Sequence, residues 1–124
     1  MRSKRKGEKE IIKSFPEAVV LRPSIIFGQE DSFFNRFAKF SLFSPIIPLV
    51  GGNTKFQPIY VLDVAKSVFR SVTDTTAIGI FELGGPDVYS FSDLISLMLK
   101  IVDRRRFILN FPFVCKIFSI LYLF

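Results

Sequence analysis

The stretch Glu17-Ala-Val-Val-Leu-Arg-Pro-Ser-Ile-Ile-Phe-Gly28 decides how the rest of the chain is read. Ala18-Val19-Val20-Leu21 is a continuous apolar run with no polar alternation, the pattern of a strand covered on both faces of a parallel sheet. Arg22-Pro23 is expected to end it, because proline has no N–H for a ladder. Ser24-Ile25-Ile26-Phe27-Gly28 follows as an extended segment closing on a glycine turn. Upstream, residues 2–14 predict a helix with Ile11, Ile12 and Phe15 on one face, stopped by Pro16.

Downstream, helical and extended patterns alternate. Asp31 or Ser32 caps a helix in which Phe33, Phe37 and Phe40 recur at helical spacing beside Phe34, and Ser44-Pro45 breaks it. A phenylalanine stripe of this kind is foremost core packing. Leu49-Val50 and Phe56 to Tyr60 flank Gly51-Gly52-Asn53, a hairpin or a tight loop. Asp63 is expected to cap a helix with Val64, Val68, Phe69 and Val72 on its inner face. Gly79 to Leu83 reads as another strand, closed by Gly84-Gly85-Pro86. Ser90 and Asp93 resemble a capping box ahead of a helix running through Val102. Arg104 to Arg106 form the loop after it, Phe107-Ile108-Leu109 a short strand, and Pro112 the first position of a last helix. This alternation argues α/β. No Gly-x-Gly-x-x-Gly follows any strand, so the residues alone give a partial sheet with its covering helices.

Composition removes several chemistries. The 124 residues contain no histidine and one cysteine. A Ser-His-Asp triad, a Cys-His dyad, a His-bound zinc and an internal disulfide are thereby excluded. Cys115 lies among apolar neighbours and reads as a buried, inert thiol. The net charge of +6 is uneven. Arg2, Lys4, Arg5, Lys6, Lys9 and Lys13 crowd the start, and Arg104 to Arg106 form a second cluster. Such clusters suit an anionic surface, but a solvated helix face and a basic loop explain them without a partner. No aromatic residue interleaves the first cluster, so no specific nucleic-acid binding is expected. The basic start is not followed by the apolar core of a signal peptide. Residues 107–124 are strongly apolar but broken by Asn110, Pro112 and Lys116. From Pro112 onward they are too short for a bilayer span of about 20 residues. A buried or interface-facing helix is the expectation.

Several segments in this order resemble the extended and atypical short-chain dehydrogenase/reductases. They are Arg2-Ser3-Lys4 with Gly7-Glu8, Phe15-Pro16, Leu21-Arg22-Pro23-Ser24 and Phe27-Gly28. With them go Phe56-Gln57-Pro58-Ile59-Tyr60-Val61, Asp63-Val64-Ala65, and Phe81-Glu82-Leu83-Gly84-Gly85-Pro86. The nearest branch is similar to the epimerase-like, NAD(P)-binding accessory subunit of respiratory complex I and its bacterial relatives. The likeness runs from about Arg2 to Phe113.

The resemblance implies the C-terminal portion of a Rossmann-like, doubly wound parallel sheet plus a small substrate-side subdomain. Residues 1–124 would then be one partial NAD(P)-binding epimerase/dehydratase-like domain. It also implies that Lys4 is the lysine of a Tyr-x-x-x-Lys pair. That lysine holds the cofactor ribose and lowers the pKa of a tyrosine acid/base. The tyrosine falls one position before Met1, and the glycine-rich half is expected to be absent. Catalysis by the chain alone is therefore not expected, nor is cofactor binding, although the intact parent would bind NAD or NADP. Backbone groups of Pro23 and Ser24 are expected beside the nicotinamide, and Arg22, Gln57 and Tyr60 along the substrate cleft. Asp63 is either a cap or a partner for a basic group near the site, and the local sequence favours the cap. No metal is implied.

The implied partners are the missing N-terminal half and a respiratory-complex or other membrane-associated protein. An alternative role is a non-catalytic basic interaction module for a membrane-associated partner or anionic surface, through Arg104 to Arg106 and the apolar C-terminus. The implied location is cytoplasmic, peripheral to the inner membrane in a bacterium, or the matrix side in a mitochondrion. Val19 to Leu21, central in such a parent, would here lack one neighbour and leave an aggregation-prone edge.

Overall fold

A computed structural model describes residues 2–112. The expected last helix and Cys115 lie outside the described residues. Four helices and eight short strands follow in order: α1 (Arg2–Ser14), β1 (Val19–Pro23), β2 (Ile26–Phe27), α2 (Phe33–Phe43), β3 (Ile46–Val50) and β4 (Lys55–Phe56). They continue with β5 (Ile59–Tyr60), α3 (Val61–Thr73), β6 (Gly79–Leu83), β7 (Tyr89–Ser90), α4 (Phe91–Ile101) and β8 (Phe107–Phe111). The strands pair two by two: β1 with β6, β2 with β5 and β3 with β8 in parallel, β4 with β7 antiparallel.

One half of the molecule holds the core. Phe37, Ile47, Leu49, Ile95, Met98 and Leu99 form one buried cluster, with Phe33, Phe34, Phe40 and Phe91 packed around it. The phenylalanine stripe of α2 therefore does what its spacing implies: Phe33 meets Phe37 edge-on at 5.4 Å, and Phe37 meets Phe91 at 5.7 Å. Edge-to-face aromatic pairs add to plain burial. Asp31 supplies the cap of α2, its Oδ1 accepting from the Phe34 N–H at 2.6 Å and its Oδ2 from the Gly28 N–H at 3.2 Å. Ser32 occupies the cap position without a side-chain bond.

At α4 the capping box is complete. The Asp93 N–H donates to Ser90 Oγ at 3.1 Å, and the Ser90 N–H returns to Asp93 Oδ2 at 3.2 Å. The helix ends with Asp103 at φ 51°, a left-handed turn that lets the Arg104 N–H reach the Leu99 carbonyl at 2.9 Å. That closes the orphan carbonyls in the manner of a Schellman motif, with aspartate where glycine is usual.

Three expectations are corrected and one open alternative is decided. First, β1 runs through Pro23 rather than ending before it. The Gly79 N–H bonds the Ala18 carbonyl at 3.1 Å and the Ser24 N–H bonds the Leu83 carbonyl at 2.8 Å. Even-numbered residues thus face β6, and by alternation the Pro23 nitrogen points to the opposite edge, where no donor is required. Second, of the hairpin and the tight loop left open for Gly51-Gly52-Asn53, the tight loop is found, because β3 pairs with β8 and β4 with β7. The loop is closed by the Thr54 N–H on the Gly51 carbonyl at 2.9 Å, with Gly51 at φ 70°. Third, Tyr60 is the cap position of α3, while Asp63 sits in the first turn and pairs with Lys66 at 3.2 Å. A carboxylate there complements the helix dipole without capping. Fourth, the supposed inner face of α3 is open: Val68, Phe69 and Val72 are all exposed, and α3 has no buried residue.

The α1–β1–α3–β6 half is thus thinly packed. Ile11, Phe15, Ile80 and Phe81 are exposed as well.

Candidate functional site

The carboxyl end of β1, the loop after β6 and the β4–β5 connection converge. Ser24, half-buried, follows β1 and donates its N–H to the Leu83 carbonyl at 2.8 Å. One residue on, the Ile25 carbonyl accepts from the Ile59 N–H at 2.9 Å. Gln57 closes the arrangement: its Nε2 donates to the Gly85 carbonyl at 2.7 Å, and the Gly85 N–H returns to the Gln57 carbonyl at 3.2 Å. The packing there is tight enough to demand glycine. A Cβ on Gly85 would lie 1.8 Å from the Pro58 carbonyl oxygen, and one on Gly84 would lie 2.8 Å from the Gln57 side chain. In open α/β sheets, ligands bind beyond the carboxyl ends of the strands.

Around this convergence the structure brings Pro23, Ser24 and Gln57 together, with Pro23 exposed at the end of β1. Tyr60 lies beside Phe27, ring centres 5.5 Å apart, and is 42% exposed. Lys4 stands exposed on α1. Next to this end lies a groove of about 450 Å³, running between α2 and α4 and lined by Phe27, Phe34, Pro58, Pro86, Leu94 and Met98 among others.

Arg22 is committed elsewhere. Its guanidinium grips Glu8 of α1 in a fork, Nε to Oε1 at 3.1 Å and Nη2 to Oε2 at 2.5 Å. Its Nη1 lies 3.6 Å from Glu82, its register partner on β6. The hydrogen bond from Arg22, followed by its charge and that of Arg5, holds the Glu8 carboxyl below its ordinary range, with partial burial opposing. The same bond raises Arg22 further. Both acids stand in the quoted sequence segments, at Gly7-Glu8 and Phe81-Glu82. Only the pairing of strand and helix reveals them as partners of Arg22.

The second basic cluster also turns inward. Arg104 Nη1 donates to the Ala38 carbonyl at 2.7 Å and to Ser41 Oγ at 2.9 Å, and Arg106 Nε donates to the Ser41 carbonyl at 2.8 Å. The Ser41 carbonyl belongs to the last turn of α2, which carries the negative end of its dipole, while the Ala38 carbonyl lies further inside the helix. Arg104 thus braces the side of α2 and Arg106 caps its end, so neither belongs to a free basic loop; Arg105 alone of the three is exposed. Among the described residues no group of His, Cys, Asp and Glu is placed to hold a metal, and no helix is long and apolar enough to cross a membrane.

No family model matches the chain. Its sequence is 42% identical over 107 residues to mouse mitochondrial NADH dehydrogenase (ubiquinone) 1 alpha subcomplex subunit 9, covering 84% of this chain and 28% of that protein. It is 34% identical over 116 residues to the Arabidopsis thaliana subunit of the same name, covering 91% and 29%. The chain is a homologue of part of that subunit. A 40 kDa subunit of the mitochondrial NADH-ubiquinone oxidoreductase from Neurospora crassa matches at 30% identity, over 89% of this chain and 29% of its own length. The chain thus spans well under a third of these relatives.

Solved structures show the fold. A dTDP-4-dehydrorhamnose reductase from Clostridium acetobutylicum superposes with a TM-score of 0.78 at 14% identity, over 90% of this chain and 39% of that one. A UDP-glucuronic acid 4-epimerase from Bacillus cereus, solved with NAD, gives 0.65 at 24% identity, over 84% and 37%. The subunit homologue therefore has a Rossmann-like fold with parallel strand pairs, of the kind found in NAD(P)-dependent epimerases, dehydratases and reductases.

Proposed function

We propose that the chain is the substrate-side part of an epimerase-like, NAD(P)-binding accessory subunit of respiratory complex I, acting in mitochondria at the respiratory complex. The observation that carries this reading is the 42% identity to the mouse subunit over 84% of the chain. The convergence of Ser24, Gln57 and the Gly84-Gly85 loop at the strand ends supports it. In this reading NAD or NADP lies across those ends, against the backbone of Pro23 and Ser24, with Lys4 at its ribose. Gln57 and Tyr60 border the cleft beyond. When bound, the nicotinamide would supply hydride exchange; this chain's share is to hold and orient it.

The glycine-rich half that cradles the pyrophosphate belongs on the outer edge of β1. That edge carries no strand among the described residues, and α3 leaves Val68, Phe69 and Val72 uncovered nearby. The chain alone is then a poor nucleotide binder and inactive.

Calorimetric titration tests this, with NADPH and then NADH added to the chain alone and to the chain joined to the glycine-rich half of a relative. The expected result is no saturable heat from the first and one-site binding by the second. Saturable binding to the chain alone overturns the division of labour. No binding by the joined protein overturns the NAD(P) reading.

A further inference from the structure

We propose that Arg22, with Glu8 and Glu82, is a positioning residue: an ionic clamp that sets helix α1 so that Lys4 stands level with Ser24. That the level matters for a cofactor rests on the preceding reading; the clamp itself does not.

Three observations converge on it. First, α1 has little else to hold it. Of its apolar residues Ile11 is 54% exposed and Ile12 only half-buried, so hydrophobic burial holds its height and rotation weakly. The forked contact from Arg22 does fix both, because a planar guanidinium bonded through two nitrogens admits one orientation of the carboxylate. Glu8 is the less exposed partner, its side chain 23% open against 39% for Arg22. Second, Glu82 stands across the β1–β6 ladder from Arg22 and holds the guanidinium from the strand side, so the clamp ties α1 to both strands.

Third, the spacing is matched. The chain reverses between Phe15 and Ala18, whose N–H bonds the Phe15 carbonyl at 3.0 Å, so α1 and β1 run in opposite directions. Lys4 precedes Glu8 by four residues and shares its helix face, about 6 Å along the axis at the usual rise. Ser24 follows Arg22 by two residues, about 6.6 Å along the strand. Starting from one ionic contact and moving the same way, helix and strand bring Lys4 and Ser24 to the same level. A lysine on a long flexible stem gains a defined position only if its helix has one.

The test uses the full chain and no nucleotide, so a failure of the cofactor reading leaves it intact. With Cys115→Ser and Ser24→Cys, a single thiol stands at the strand end. A short amine-to-thiol cross-linker is added and the linked lysine is located by mass spectrometry. Lys4 is expected to dominate over Lys6, Lys9 and Lys13. Glu8→Gln lowers that preference by about two- to fivefold, in line with a partly exposed ion pair. The charge exchange Glu8→Arg with Arg22→Glu, made with Glu82→Gln so that no like charge faces residue 22, restores it. Salt near 1 M lowers the preference without any substitution, while the helical circular dichroism is unchanged. That keeps the test decisive if a variant folds badly. No preference for Lys4 in the parent chain overturns the proposal, as does a preference indifferent to both Glu8→Gln and salt.

Discussion

The Arg104 guanidinium lies 2.7 Å from the carbonyl of Ala38 and 2.9 Å from the hydroxyl of Ser41, a residue with no solvent exposure. A cation reached from 63 residues away thereby supplies the buried Ser41 hydroxyl with a donor and ties the side of α2 to the loop after α4. Charged hydrogen bonds of this kind contribute about 1.5–3 kcal/mol. Arg104→Ala is accordingly expected to cost that much in urea denaturation. Arg105→Ala, on an exposed side chain, should stay within about 0.5 kcal/mol of the parent.

Ser90→Ala opens the capping box of α4 and is expected to cost about 1 kcal/mol. The effect depends on pH in a defined direction. Hydrogen bonds from the Ser90 hydroxyl and then its N–H hold the Asp93 carboxyl below its ordinary value of 3.8. A depressed carboxyl contributes stability that is complete above the ordinary value and lost as pH falls through the folded one. The gap between parent and Ser90→Ala should therefore be full at neutral pH and narrow below about pH 4. A gap that widens in acid would show the sign to be wrong.

Two glycines should respond in opposite directions to alanine. Gly7 lies within α1 with nothing within 4 Å of its added Cβ, so Gly7→Ala should stabilise by about 0.5–1 kcal/mol. Gly85→Ala drives a methyl into the Pro58 backbone, which no rotamer relieves. It should cost at least about 1–3 kcal/mol and disturb the Gln57 amide resonance in an NMR spectrum.

The uncovered face of α3 predicts self-association. Phe69 and Val72 are 71% and 77% exposed. Replacing both with lysine should lower light scattering from concentrated solutions while leaving the free energy of unfolding in urea within about 0.5 kcal/mol, because neither side chain is buried. A large loss of stability in the double variant would mean that this face is packed after all.

Much of this was legible from local pattern. The Phe33–Phe37–Phe40 stripe and the Ser90–Asp93 box specify their elements through neighbours in the chain, and each takes its expected place; the apolar run at Val19 forms its parallel strand but is only half-buried rather than covered on both faces. The inner face of α3 was misread because an apolar stripe says which side wants covering, not whether a cover is present. Asp63 was misread because a carboxylate serves the start of a helix from several positions. The roles of Arg22 and of Arg104 to Arg106 were hidden for a different reason. Their partners lie 14, 60 (82 − 22) and 63–66 residues away, on helices and across a parallel ladder that only folding brings together. At the candidate site, the resemblance to a known family supplied the residues, and the structure supplied the hydrogen bonds that join Gln57 to Gly85 and Ser24 to Leu83.

Pro23 closes β1 with its nitrogen turned away from β6. A strand laid along that outer side finds donors at Val19 and Leu21 and none at Pro23. N–H donation on that side therefore stops at Leu21, while the ladder with β6 on the other side runs on to Ser24. A single imino acid thus makes the two edges of one strand unequal.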